Sequence, residues 1–404
     1  MKDIQIKKLI DAEKKRQKKV VNLIASENYV SDDVLEALGS ELTNKYAEGY
    51  SSARYYGGNE IIDKVEDLCV RRALELFGLS SKDWHVNVQA LSGSPANMAV
   101  YAALVPQGGK VMGMSLDHGG HLTHGHKVSF TGKAWTQVPY GIDPVTELLN
   151  YDQLIEQAAR EKPAMIIAGY TAYPRVIDWA KMRSVADAAG AILMVDMSHI
   201  SGLVAGGAYP SPFPYADIVT TTTHKTLRGP RSAIIFARRD ARELPKKIDK
   251  AVFPGLQGGP HMNAIAAVAV ALREARTPAF KKYASRVIKN AHVLAEELKS
   301  RGWRLISGGT SSHLILIDTW MNGLINEKGA GGVPGKIGCS ALEKQGIIVN
   351  KNSIPFDSRP PTDPSGIRIG TAAETTRGAS EKDMKKIADR IDAILRKSRP
   401  KQDK

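Results

Sequence analysis

Apolar positions recur along this chain in two rhythms. Residues 60–77 place Ile61, Ile62, Val65, Leu68, Ala73, Leu76 and Phe77 at helical spacing, which predicts an amphipathic helix. In the first twenty residues the apolar positions are sparse, chiefly Ile4, Ile6, Leu9 and Ile10 among many charges. A helix this polar is expected to lie across a partner subunit rather than to be stable alone. From about residue 85 to 240, short apolar runs alternate with helical patterns. Residues 86–91, 110–114, 164–169, 191–196, 217–222 and 233–237 read as strands. Residues 94–104 read as a helix capped by Ser94 with Pro95 in its first turn, and 179–189 as another. This alternation predicts an α/β domain built on a mostly parallel sheet. Beyond it, helical patterns over 262–275, 280–299 and 380–395 surround short strands at 314–317, 347–349 and 367–369. The last helix opens on a capping box, Ser380 with Asp383. We expect an N-terminal arm over 1–50, a large α/β domain over 51–275 and a smaller α+β domain over 276–404.

Composition narrows the class. With 404 residues and 43% hydrophobic positions the chain can bury more than one core. No run approaches the roughly 18 apolar residues of a membrane span, and the charged start lacks the apolar core of a signal peptide. Cys69 and Cys339 are the only cysteines, too few for a disulfide framework. These features predict a reducing cytoplasm. The net charge of +14 is concentrated at the ends, from Lys2 to Lys19 and from Arg396 to Lys404. Neither end interleaves its basic residues with aromatics or a reading element, so both read as solvated faces rather than nucleic-acid surfaces.

The candidate chemistry lies at strand ends. Asp196 closes one apolar run, and His224 and Lys225 follow another that ends in threonines. In open α/β sheets ligands sit beyond the carboxyl ends of the strands. A carboxylate and a lysine there suit a bound ring with a basic nitrogen and an aldehyde, the lysine forming the Schiff base. Leu91-Ser92-Gly93-Ser94-Pro95 runs from strand to helix and offers free N–H groups to a phosphate. Gly255-Leu256-Gln257-Gly258-Gly259-Pro260 is a second such loop; either can hold the phosphate, or both where they meet at a subunit interface. His118, His121, His124 and His126 share a glycine-rich stretch whose irregular backbone does not align them on one metal ion, and no metal is expected. One of these rings is better used stacked flat on the cofactor. His199, three residues past Asp196, is placed to hydrogen-bond to the cofactor or to a carboxylate behind it, and reads equally as a satisfied histidine on a loop. Arg368, in a short strand, carries a fork suited to a substrate carboxylate.

Several strings together are specific: Leu23-Ile24-Ala25-Ser26-Glu27-Asn28-Tyr29, Leu42 to Tyr50, Arg54-Tyr55-Tyr56-Gly57-Gly58, His118 to Gly125, Val195 to His199, and Thr220 to Arg231. Through them the chain resembles the serine hydroxymethyltransferase family over about residues 15–395. The resemblance implies a pyridoxal-phosphate-dependent transferase of fold type I, with a mostly parallel seven-stranded central sheet and a smaller C-terminal α+β domain. It implies reversible transfer of the hydroxymethyl carbon of L-serine to tetrahydrofolate, giving glycine, in a homodimer with shared active sites. Lys225 would carry the cofactor, Asp196 pair with the pyridine nitrogen, His121 stack on the ring, and His199 and Thr171 contact its oxygen. Ser92, Gly93 and Ser94 would hold the phosphate, joined by Tyr46, Gly258 and Gly259 of the partner subunit. Arg368 would bind the substrate carboxylate near Ser26. Glu48 and Tyr56 would enter from the partner and manage protons, Glu48 being the acid–base candidate; His224 and His199 complete the catalytic set. Leu116, Gly120, Leu122 and Asn352 would meet the folate. Departures include Asp117, Pro174 and Leu91, where many relatives carry histidine. The rival readings are a threonine or allo-threonine aldolase, a 2-methylserine hydroxymethyltransferase, and, from a different class, an RNA-binding or regulatory role of the basic tails.

Overall fold

A computed structural model describes residues 1–400. The chain divides into two compact units, one of Asn28–Arg286 and one of Met1–Glu27 together with the chain from Val287 onward.

In the first unit seven strands form one sheet: β1 (Trp84–Asn87), β2 (Lys110–Met114), β3 (Thr136–Tyr140), β4 (Met165–Gly169), β5 (Ile192–Asp196), β6 (Ile218–Thr222) and β7 (Ala233–Arg238). Their order across the sheet is β3-β2-β4-β5-β6-β7-β1. The pairs from β3 to β6 are parallel, and β7 runs antiparallel to both β6 and β1. Every residue of β4 and β6 is buried. Helices cover both faces of a parallel sheet, so β4 reads as a continuous apolar run, and the three threonines that end β6 stay buried. Met165, Ile167, Met194, Ile218 and Ile235 pack with Ala96, Val100 and Tyr101 of the helix Gly93–Leu104 in one core.

The sequence run over 86–91 leaves the ladder after Asn87, although Val88 and Ala90 stay buried. Side chains serve the backbone of this buried segment instead. Asn87 Oδ1 accepts from Gln89 N, and Gln257 Oε1 accepts from Leu91 N. The next helix also begins earlier than its composition suggests. Ser92, not Ser94, is the N-cap residue, with an extended backbone, and Pro95 falls at the third helical position. The first four N–H groups of a helix have no internal partner, so a proline there sacrifices none.

The second unit holds a four-stranded antiparallel sheet of β8 (Arg304–Leu305), β9 (Leu314–Asp318), β10 (Asn350–Asn352) and β11 (Gly366–Gly370), in the order β8-β9-β11-β10. Leu294, Leu298, Trp303, Ile317, Ile369 and Ile391 are among its buried core. The helix Glu381–Lys397 opens on the expected capping box of Ser380 and Asp383. Val21 and Asn22 pair in parallel with Ile347 and Ile348, and Leu23 is fully buried in the same core. For that reason the compact units change over after residue 27, whereas the sequence reading sets an arm apart to residue 50. The opening helix, Ile4–Lys19, buries no residue; Ile4 is 64% and Leu9 66% exposed. Among the described residues no helix is long and apolar enough to cross a membrane.

Candidate active site

The carboxyl ends of β5 and β6 lie side by side, with Asp196 in register with Thr220. Asp196 is buried, and polar side chains converge on it. Asn97 Nδ2 donates to its Oδ2 at 2.9 Å, His124 Nε2 lies 3.2 Å from the same oxygen, and Ser198 N donates to Oδ1 at 3.1 Å. Asn97 is itself fixed, donating to Thr123 Oγ1 at 2.8 Å and accepting from Thr220 Oγ1 at 2.8 Å. Burial alone would push the carboxyl up; the hydrogen bond and charge of His124, with His121 and Lys225, hold it far below the ordinary carboxylate range. A carboxylate kept ionised in a dry site is fit to hold a proton on a neighbouring basic nitrogen. Asn97 and His124 were not singled out for this role from the sequence. The available signal was an amide one turn into the helix that follows the Ser92 loop.

Lys225 is 8% exposed, three residues beyond β6. Its neighbour His224 is lowered to about 3 by burial, then by the charges of Lys225 and Arg231. At neutral pH it is an uncharged imidazole. The linkage has a definite sign. Below pH 6.5, its ordinary value, the unfolded chain takes up a proton that the folded chain refuses until about pH 3. This contribution to stability is complete above pH 6.5 and drains as pH falls towards 3. Urea titrations across that window should give a shallower decline of stability in His224→Gln than in the unsubstituted protein; parallel declines would refute the assignment.

The Ser92 loop meets β6 closely. A Cβ on Gly93 would stand 2.6 Å from Thr222 Cγ2, so only glycine fits. No side chain caps the helix Gly93–Leu104, which leaves its N-terminal N–H groups and the hydroxyls of Ser92 and Ser94 for an anion. His121 Nδ1 lies 2.7 Å from Thr123 Oγ1, which fixes its ring in the same neighbourhood as His124, with centroids 5.7 Å apart. Thr171 N donates to Gly119 O at 2.7 Å, tying the end of β4 to that loop. Gly120 is pressed against the Met114 carbonyl; Leu116 and Leu122 flank it, and Leu122 is 42% exposed. His199 is buried, and its carbonyl accepts from Thr226 Oγ1 at 3.0 Å. Among the described residues no group of three His, Cys, Asp or Glu could hold a metal ion.

Tyr46, Glu48, Tyr56, Gly258 and Gly259 form a second group in the same unit. Tyr46 and Tyr56 meet edge to face with centroids 5.3 Å apart, and both are more than half exposed. The Tyr46 ring lies over Gly259, and Glu48 Oε1 lies beside Gly258. The charge of Glu48 and its hydrogen bond raise the Tyr46 phenol. A cavity of about 390 Å³ adjoins the group, lined by Thr43, Lys45, Tyr46, Gly259, Pro260 and His261. The backbone around Glu48 is gripped from beneath. Arg54, almost wholly buried, donates to the carbonyls of Ala47 and Gly49 and pairs with Asp63 and Glu66. Gln89 Nε2 donates to the same Gly49 carbonyl and to Glu66. The sequence analysis assigns Arg54, Glu66 and Gln89 no role.

Arg368, Ser26 and Asn352 belong to the other unit. Arg368 is buried on β11, its Nε donating to Asn350 Oδ1 at 3.0 Å. Burial lowers it to about 10, so it stays cationic at neutral pH. Ser26 is half-buried, and Asn352 Nδ2 donates to Ser353 O at 2.7 Å.

Comparison with known proteins agrees with this architecture. The family model described as serine hydroxymethyltransferase matches residues 1–391. Proteins named serine hydroxymethyltransferase from Desulfotalea psychrophila and Acidobacterium capsulatum are each 52% identical over 393 residues, covering 97% of this chain and 88% of each relative. One from Koribacter versatilis is 51% identical over 394 residues, covering 98% of this chain and 89% of the relative. The matched span takes in both compact units and every residue of the two side-chain groups: the chain belongs to the serine hydroxymethyltransferase family.

Proposed function

We propose that the family's reaction is carried out here by two groups of side chains contributed by different copies of the chain. The reaction is the reversible transfer of the hydroxymethyl carbon of L-serine to tetrahydrofolate, giving glycine and 5,10-methylenetetrahydrofolate. The observation that carries the reading is the buried carboxylate of Asp196, held ionised by His124 and Asn97 at a strand end beside the strand leading to Lys225.

The residues present fit pyridoxal phosphate. The uncapped helix start at Gly93 offers N–H groups to a phosphate, and a Cβ at Gly93 would crowd that turn. When bound, the cofactor supplies a protonated ring that accepts electrons from the substrate carbon. Asp196 would hold a proton on the ring nitrogen, and Lys225 Nζ would hold the cofactor through its aldehyde carbon. Ser92, Gly93 and Ser94 bind the phosphate; His121 covers the ring, and Thr171 and His199 orient its oxygen. Arg368 binds the substrate carboxylate, with Ser26 nearby, because its planar guanidinium fork matches a carboxylate in geometry and charge.

The second group serves a neighbouring copy. Tyr46 and Tyr56 are exposed although the backbone beneath them is rigidly held, which suits a surface completed by a second chain. The exposed apolar residues of the opening helix support the same homodimer. Across the interface Glu48 Oε1 takes and returns the proton of the serine hydroxyl, Tyr56 positions that hydroxyl, and Tyr46, Gly258 and Gly259 complete the phosphate site. Leu116, Gly120, Leu122 and Asn352 face the folate. A cytoplasmic location fits the two unpaired cysteines.

Folate dependence tests the reaction. Purified protein should convert serine to glycine only when tetrahydrofolate is added. Equal turnover without folate would replace the transferase by an aldolase on the same scaffold.

A further inference from the structure

Lys225 sits in a turn held by several groups from outside it. Its carbonyl accepts from Arg228 N at 3.1 Å, and Arg228 holds a left-handed backbone with φ of 61°. That conformation is uncommon for a residue other than glycine, so the surroundings must hold it. The Arg228 guanidinium lies 4.6 Å from the Tyr283 ring centroid and 5.1 Å from that of Phe280. The same Tyr283 donates its hydroxyl hydrogen to Thr226 O at 3.2 Å.

Asn28 closes the arrangement. Its Nδ2 donates to the Lys225 carbonyl at 2.9 Å and to the Tyr283 hydroxyl at 2.8 Å. Its Oδ1 accepts from Tyr29 N at 2.9 Å, which fixes the amide so that the NH2 group faces those two acceptors. On the other flank Thr226 Oγ1 donates to His199 O at 3.0 Å and accepts from Gly202 N at 3.0 Å. The turn is therefore tied on one side to the strand end that carries Asp196, and on the other to Asn28 and Tyr283. Asn28 and Lys225 are 197 positions apart in sequence.

We infer that Asn28 and Tyr283 are positioning residues for Lys225: they hold the main chain from which its amine projects, so that Nζ returns to one place after each release from the cofactor. The inference rests on the reading of Lys225 as the cofactor lysine. Neither residue is assigned to touch the cofactor or the substrate.

Asn28→Asp separates this role from bulk stability. The substitution keeps the side-chain shape, but a carboxylate cannot donate to the Lys225 carbonyl. Full-length holoenzyme should be compared in three ways: the pH titration of the cofactor's visible absorbance, the rate at which hydroxylamine displaces the lysine, and the thermal midpoint. We expect a shifted titration midpoint and displacement about five- to tenfold faster in Asn28→Asp, the scale of one lost hydrogen bond. Tyr283→Phe, which keeps the ring under Arg228, should move both in the same direction by less. It carries the test alone if Asn28→Asp does not fold. Displacement and titration at wild-type values, with or without a lower thermal midpoint, would reduce both residues to structural ties and overturn the inference. Lys225→Ala is run alongside. A visible band that survives it would overturn the lysine assignment and the inference with it; a band lost there, beside wild-type behaviour in Asn28→Asp, overturns the inference alone.

Discussion

Mixing two inactive variants, Lys225→Ala and Glu48→Gln, is expected to restore about a quarter of wild-type turnover. Each variant alone should lose nearly all activity, one for want of the cofactor lysine and the other for want of the proton carrier. In a mixed dimer one site joins an intact Lys225 to an intact Glu48, and the other site receives both defects. Random reassociation makes about half of the dimers mixed, each with one working site of two, which gives the quarter. The basis is the second side-chain group. Tyr46 and Tyr56 are exposed, whereas the Glu48 backbone is fixed by Arg54 and Gln89. Exposed tyrosines on a firmly held backbone are what the proposed site, completed by a partner, requires. A mixture that stays inactive after reassociation, with dimers present, would mean that each chain builds its own site.

The second large effect concerns Asp196. Asp196→Ala should lower kcat by about 10² to 10³-fold, the range for removing one preorganised electrostatic group from a buried site. The cofactor should remain detectable by absorbance, because the Ser92 loop and Lys225 are untouched. The change also removes the Asp196 acceptor from His124 Nε2 and from one of the two Asn97 Nδ2 hydrogens, the other staying on Thr123 Oγ1. Because Asp196 is held far below its ordinary value, its contribution to stability is full at neutral pH, begins to drain as pH falls below that ordinary value and is gone once acid passes the depressed one. A kcat within threefold of wild type, with cofactor bound, would remove Asp196 from the chemistry.

Much of the scaffold was legible because its elements follow one rule each. The helix Glu60–Phe77 alternates at 3.6 residues and caps on Gly78 in the left-handed region, and β4 is an unbroken apolar run because both faces of the sheet are covered. Strand β3 escapes such a reading. It is an edge strand with Pro139 in it, and only Val138 and Tyr140 are buried. The helix Tyr151–Glu161 escapes because it buries just Leu154 and Ala158. Within the site, Asp196, Lys225 and the Ser92 loop stand out locally, at strand ends and at a helix start. Asn97, His124, Asn28 and Arg54 do not. Their significance comes from partners 99, 72, 197 and 12 positions away, reached only once the chain has folded.

The central claim is that Lys225 carries the cofactor. Borohydride reduction of the purified holoenzyme converts a lysine–cofactor C=N bond into a stable amine, and peptide mass analysis then locates it. The added mass is expected on the peptide containing Lys225, and none in Lys225→Ala. The same mass on another lysine, or a label that survives that substitution, would contradict it.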